Sequence, residues 1–230
     1  MRLTVFNGSP RGKKGNTQVF LEHYLRGFGT QATQPKGCEA SAGNSYEIFY
    51  LNRVTDTERF VQAFAEAEHV LLAFPLYTDA MPGPVKAFIE ALEPLCGRQG
   101  NPDIGFIVQS GFPEAAHSRY VERYLEKLAS RLGCRYVGTM VKGGGEGARV
   151  VPDQYRKPFE IFCQLGKTFG ETGQFDQALL RRLAKPERYP RILGPLFQWF
   201  LKTKLATSHW NSQLRENGAY EERFARPYTE

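Results

Sequence analysis

The sequence predicts an α/β fold, an open and doubly wound five-stranded parallel sheet followed by a helical C-terminal extension. Three observations carry that reading. Strand-like and helix-like patterns alternate across residues 1–170. Val70-Leu71-Leu72-Ala73-Phe74 is a continuous apolar run, which suits a central strand buried on both faces. The loop Asn7–Thr17, NGSPRGKKGNT, follows the first strand and opens the first helix. Free N–H groups and the positive end of the helix dipole converge there, and the Ser9 and Thr17 hydroxyls with the Arg11 charge suit phosphate oxygens.

The elements follow in order. Leu3–Phe6 is strand 1, and helix 1 carries Leu21, Tyr24, Leu25 and Phe28 at helical spacing. A Gly/Ser/Ala/Pro-rich loop, about Gly29–Ser45, leads to strand 2 at Tyr46–Leu51. Helix 2 spans Thr55–Ala67 with Phe60, Val61 and Phe64 on one face. Strand 3 is the apolar run, and helix 3 carries Val85, Phe88, Ile89 and Leu92. Strand 4 is Ile104–Val108. Helix 4 spans about Ala116–Leu132, with Val121, Tyr124, Leu125, Leu128 and Leu132 inward. Strand 5 is Tyr136–Val141, and helix 5 begins near Pro152. The sheet order 2-1-3-4-5 puts the topological switch point between strands 1 and 3, so the loops after both should bind.

The loop after strand 3, Pro75 to Pro84, supports this. Its prolines stiffen it, and Pro82 and Pro84 suit the first turn of helix 3. Leu76, Tyr77 and Met81 offer flat or pliable surface to a planar ring, and Thr78 offers a polar contact; a rigid loop with its aromatic in the core is the competing reading. After strand 4, Ser110, Gly111 and Phe112 are as compatible with binding as with a plain turn. After strand 5, Gly143–Ala148 matches G-x-G-x-x-A only as a string, with no later strand to supply a ribose-binding acid; a flexible loop over the site mouth is expected. The first loop fits neither G-x-x-x-x-G-K-[ST] nor G-x-G-x-x-G. A bare surface turn capped by Asn16 or Thr17 is its competing reading. Asp79 suits a cap on helix 3 at least as well as a ligand contact, and His117, the one histidine near a predicted site loop, suits a surface or helix-start position better than a site role.

Composition bounds the rest. At 230 residues, 41% hydrophobic and 23% charged, the chain supports one large domain, expected at 1–170, with a basic extension at 171–230. The net charge of +6 is uneven: residues 1–180 carry 20 Lys/Arg against 19 Asp/Glu, and residues 181–230 carry 10 against 5. A near-neutral body argues against nucleic acid. No apolar run is long enough for a bilayer and no leader pattern opens the chain, so a cytoplasmic address is expected. Cys38, Cys96, Cys134 and Cys163 are widely spaced and read as separate thiols, so no metal site is expected. In the extension, Ile192, Leu193, Leu196, Phe197, Phe200, Leu201 and Leu205 form a helical apolar stripe, with Trp199 and Lys202 beside it. Packing on the body or a second subunit is favoured over membrane-surface contact. His209–Tyr228 reads as an extended arm.

The two loops together, NGSPRGKKGNT after strand 1 and PLYTDAMPGPVKAF after strand 3, resemble the flavodoxin-like NAD(P)H-dependent FMN reductases and quinone reductases over residues 1–170. The resemblance implies FMN as cofactor and NAD(P)H as co-substrate. It places Ser9, Arg11, Asn16 and Thr17, helped by Lys14, on the FMN phosphate. It places Pro75, Leu76, Tyr77, Thr78 and Met81 along the isoalloxazine ring, and Ser110, Gly111 and Phe112 at its pyrimidine edge. It implies a small-molecule electron acceptor (a quinone, a nitro or azo compound, or another flavin), a homodimer, and no acid–base residue of the protein's own. The alternative is a non-enzymatic electron carrier or regulatory module that docks a partner through its tail.

Overall fold

The computed structural model describes residues 1–29, 43–190, 194–195, 199 and 203–226. Its sheet is all parallel with order β2-β1-β3-β4-β5, as expected. The strands are β1 (Arg2–Asn7), β2 (Ser45–Tyr50), β3 (His69–Pro75), β4 (Asp103–Gln109) and β5 (Tyr136–Lys142). The helices are α1 (Asn16–Phe28), α2 (Thr57–Ala65), α3 (Gly83–Ala91), α4 (Arg119–Leu132), α5 (Arg156–Thr172) and α6 (Gln177–Leu183). Contacts divide the chain into a unit of residues 1–188 and a unit of residues 189–230.

Alternation along the strands builds two cores. Phe6, Val70, Leu72, Phe74 and Val108 face α2, α3 and α4, where Phe6 and Phe88 pack with ring centroids 4.6 Å apart. Leu3, Val5, Leu71, Ala73 and Ile107 face α1 and α5, against Phe20, Tyr24, Phe28, Phe162 and Phe169. β3 has a buried partner on both sides, hence its unbroken apolar run. α6 joins the second core through Leu183, and Asp176 caps it by accepting from the N–H groups of Ala178 and Leu179 at 2.7 and 3.0 Å.

Several boundaries and faces differ from expectation. α2, α4 and α5 are each preceded by a 3-10 turn, at Val54–Asp56, Ala115–Ser118 and Pro152–Tyr155. The buried face of α4 is Val121, Leu125, Ala129 and Leu132; Tyr124 sits at its margin, exposed. α1 begins at Asn16 with Gly15 as N-cap and no side-chain cap, so neither Asn16 nor Thr17 takes that role. Cys96 and Cys134 are free, but Cys163 is disulfide-bonded, which departs from four separate thiols.

In the second unit α7 (Lys204–Glu216) makes the first part of the expected extended arm helical instead; Thr203 caps it by accepting from Ala206 N–H. The stripe residues Ile192, Leu193, Leu196, Phe197, Phe200 and Leu201, with Lys202, lie outside the described residues. So do the Leu205 side chain, most of the Gly29–Ser45 loop with Cys38, and Pro227 with Tyr228. Among the described residues no helix is long and apolar enough to cross a membrane.

The α1–α5 contact carries a pH-sensitive group. His23 stacks on Phe159 with centroids 3.9 Å apart, and burial, then Arg26, lower its pKa from 6.5 to about 4. The native state resists a proton that the unfolded chain accepts near 6.5. This contribution is therefore full above that value and is lost as pH falls through about 4. The shift corresponds to about 3 kcal/mol, reduced to about 2 by partial exposure. His23→Gln is expected to flatten the loss of stability between pH 7 and pH 4, read from urea midpoints; an unchanged slope would rule His23 out as its source.

Candidate functional site

Four loops meet at the carboxyl edge of the sheet because parallel pairing brings the strand ends side by side. Gly8 N–H donates to Ala73 O at 2.7 Å, Leu76 N–H to Gln109 O at 2.7 Å, and Ser110 N–H to Lys142 O at 3.0 Å. Each bond ties one strand-end loop to its neighbour.

The first loop is a compact turn at the α1 N-terminus. Gly12 takes φ +50°, a left-handed value that favours glycine, in the 3-10 turn Gly12–Lys14. Gly15 leaves no room for a side chain, since a Cβ there would fall 2.4 Å from Ser9 Oγ. Ser9 is buried and its N–H donates to Asn7 Oδ1 at 3.0 Å. Arg11 and Lys14 are exposed. Thr17 is fully buried, and its Oγ1 has no hydrogen-bond partner. An orphaned hydroxyl beside a helix N-terminus is what a phosphate oxygen would satisfy, so these residues fit the anion that the sequence implied.

Asn16 is differently engaged. Its Nδ2 donates to Glu146 O at 2.6 Å and its Oδ1 accepts from Arg149 N–H at 3.3 Å. It fastens the first loop to the 3-10 turn Glu146–Arg149 after β5. Beneath the loop lies a polar network that sequence reasoning missed. Asn7 Nδ2 donates to Gln18 Oε1 at 3.0 Å, and Tyr50 OH donates to the same oxygen at 3.3 Å. These partners lie 11 and 32 residues apart, so no local pattern announces them.

After β3 the chain forms a miniature hairpin. Tyr77 and Ala80 exchange both backbone bonds, and Thr78 and Asp79 take φ +48° and +61°. Both central residues at positive φ make a type I′ turn, a strained choice for Thr and a tolerable one for Asp. Pro75 and Leu76 are buried, while Tyr77, paired with Ala80 at the base of the turn, is 48% exposed. Met81 packs partly on the core, and Pro82, not Asp79, is the N-cap of α3.

The loop after β4 buries Ser110, whose hydroxyl donates to Phe112 O at 3.0 Å. A Cβ on Gly111 would fall 3.0 Å from Glu146 Oε2. Phe112 is 61% exposed and stacks on His117 with centroids 4.7 Å apart; His117 Nδ1 lies 3.8 Å from Asp79 Oδ1. The glycine-rich loop after β5 is not the loose flap the sequence suggested. Gly144 N–H donates to Phe112 O and Gly145 N–H to Ser110 O, both at 2.7 Å, while Tyr155 OH donates to Gly144 O at 2.6 Å. Among the described residues no His/Cys/Asp/Glu group is placed to hold a metal ion.

The structure thus gathers Ser9, Arg11, Lys14, Asn16 and Thr17 in one loop, Pro75 to Met81 in the next, and Ser110 to Phe112 in the third. Comparison with known proteins agrees with this architecture. A family model described as NADPH-dependent FMN reductase matches residues 1–141. The azoreductase AzrA structure superposes with a TM-score of 0.56 at 13% identity, over 74% of this chain and 100% of that one. An NAD(P)H:quinone oxidoreductase from Methanothermobacter marburgensis gives 0.54 at 15% identity, over 76% and 99%. An FMN-dependent NADH-azoreductase from Bacillus anthracis str. Ames Ancestor, solved in complex with FMN, gives 0.51 at 14% identity, over 74% and 100%. At these identities the likeness concerns the fold. No curated protein matches the chain.

Proposed function

The chain belongs to the NADPH-dependent FMN reductase family, and on that premise we propose that its strand-end loops hold FMN and serve electron transfer from NAD(P)H to a small-molecule acceptor. A quinone, a nitro or azo compound, or another flavin is the acceptor class in this reading. The observation that carries it is the orphaned Thr17 hydroxyl at the α1 N-terminus.

In this reading Thr17, Ser9, Arg11 and Lys14 hold the phosphate together with the N–H groups of the first α1 turn. Asn16 contributes by fixing the phosphate loop to the Glu146–Arg149 turn. Pro75, Leu76, Thr78 and Met81 form a stiff wall for the ring, with the exposed Tyr77 ring beside it. The Gly111 backbone and Phe112 meet the pyrimidine edge, with Ser110 shaping the loop, because the Ser110 hydroxyl, N–H and carbonyl are all engaged within the strand-end loops. A flavin held there by these residues would supply hydride-accepting chemistry and one- or two-electron transfer. The protein's residues position it, exclude water from one face and leave the other open. The exposed rings of Tyr77 and Phe112 at the mouth suit cover by a second copy, so a homodimer is part of the proposal.

The test is direct. The purified protein, reconstituted with FMN, should show a bound-flavin spectrum and bleach when NADPH or NADH is added without oxygen. Failure to retain FMN sinks the proposal. Bound flavin that neither nucleotide reduces points instead to an electron carrier.

A further inference from the structure

Outside the strand-end loops, the cleft between α5, α6 and the end of β5 is a strongly cationic concavity. It encloses about 490 Å³, within the ~300–1,000 Å³ typical of small-molecule sites. Lys142, Lys157, Arg182 and Lys185 line it, against the single carboxylate of Glu160. Lys142 ends the edge strand β5. Met140, two residues earlier, packs in the core under α1 and α5, so alternation sends Lys142 to the same face. There it is half-buried, its Nζ donates to Gly143 O, and burial holds its pKa below the ordinary lysine range.

The charges are arranged against their own stability. Lys157 sits in the first turn of α5, where the helix dipole is already positive. Among the described residues, none of Lys157, Arg182 and Lys185 forms an ion pair. Other cations of this unit do pair with acids, among them Arg119 with Glu122 and Glu187, Arg135 with Asp103, and Arg156 with Asp153. A near-neutral body that gathers four cations around one cavity leaves a site that only an anion relieves. Ile161 and Leu183 add an apolar wall.

We propose that this cleft is a second anion site that takes a phosphate-bearing small molecule, its phosphate among the four cations and its carbon skeleton against Ile161 and Leu183. The phosphate has two possible sources. One is the 2′-phosphate of NADPH, since Lys142 O accepts from Ser110 N–H and the cleft therefore begins beside the flavin loops; this source rests on the reading above. The other is a separate phosphorylated metabolite, which does not.

The experiment is calorimetric titration of the FMN-loaded protein with 2′-AMP, with adenosine as the uncharged probe. One saturable 2′-AMP site per chain is expected, and no adenosine binding. The exposed, unpaired residues permit a mild double variant, Lys157→Ala with Arg182→Ala, which should weaken 2′-AMP roughly 10- to 100-fold and leave FMN affinity unchanged. A control pair on α4, Lys127→Ala with Arg131→Ala, should change neither. If the double variant raises KM for NADPH but not NADH, the donor is the source. If it loses 2′-AMP with both KM values unchanged, the source is a separate metabolite. No saturable 2′-AMP binding, equal loss in the control pair, or a double variant that binds like the parent overturns the proposal. Protein that fails to retain FMN is titrated as purified, so the cleft is read even where the flavin reading fails.

Discussion

Thr17→Val is expected to cut FMN affinity roughly 10- to 100-fold while leaving the apoprotein as stable as before, or more so by about 1 kcal/mol. The opposite signs come from one atom. Thr17 is fully buried and its Oγ1 has no partner. A buried hydroxyl without a hydrogen bond costs about 1–3 kcal/mol, and valine keeps the shape while removing the penalty. A hydrogen bond to a charged phosphate oxygen is worth about 1.5–3 kcal/mol, which sets the expected loss of affinity. Arg11→Ala should weaken FMN by a similar factor without the gain in apoprotein stability, because Arg11 is exposed, and its effect should shrink at high salt. Flavin-fluorescence titration gives the affinities, and thermal melts of the apoprotein give the stabilities. A Thr17→Val protein that binds FMN like the parent would falsify the assignment of that hydroxyl to the phosphate.

How much of this was legible beforehand divides along the range of the contacts involved. The sheet was readable because each strand carries its own burial pattern, and β3, buried on both faces, announces its central place with five apolar residues in a row. The positions of the loops then follow from topology, since parallel strands must end on one edge. What the side chains do inside those loops depends on partners far along the chain. Asn16 meets Glu146 across 130 residues, and nothing near position 16 encodes that. Ser110 looks like a free donor in sequence, yet its hydroxyl turns back onto Phe112 O.

The glycine-rich stretch after β5 shows the same limit differently. Glycines there suggested mobility, whereas a Cβ on Gly143 would fall 2.4 Å from Pro113 O. Glycine in that loop serves close backbone approach, and sequence alone does not separate that use from flexibility. Asp79 was a plausible cap for α3 by type and spacing; the type I′ turn carries it away from the helix and toward His117.

The same use of glycine decides the largest stability effect expected in this chain, at the crossing of α1 and α5. A Cβ on Gly27 would lie 1.9 Å from Cys163 O, and one on Gly166 would lie 1.9 Å from Tyr24 O. The two glycines are reciprocal, each lying under the other helix's backbone, so the helices meet main chain to main chain. Alanine at either position gains about 1 kcal/mol of helix propensity. It also drives a methyl group into a carbonyl that cannot swing aside as a side chain would. The helices must separate, and the packing of Phe20, Phe28, Phe162 and Phe169 loosens with them. The net cost expected for Gly27→Ala or Gly166→Ala is about 2–4 kcal/mol, a fall in melting temperature of roughly 5–15 °C. Gly83→Ala is the contrast: no atom lies within 4 Å of its added Cβ, so its stability should hold or rise slightly. The double variant Gly27→Ala with Gly166→Ala should cost less than the sum, because the first methyl already opens the gap that the second needs. The displacement should also reach the cofactor. α1 carries Thr17 in its first turn, and Asn16 ties that turn to the loop leading into α5. Gly166→Ala, remote from every proposed FMN contact, should therefore weaken FMN severalfold. Additive costs, or FMN affinity unmoved in a destabilised Gly166→Ala protein, would show that the α1–α5 crossing supports the fold without setting the geometry of the phosphate loop.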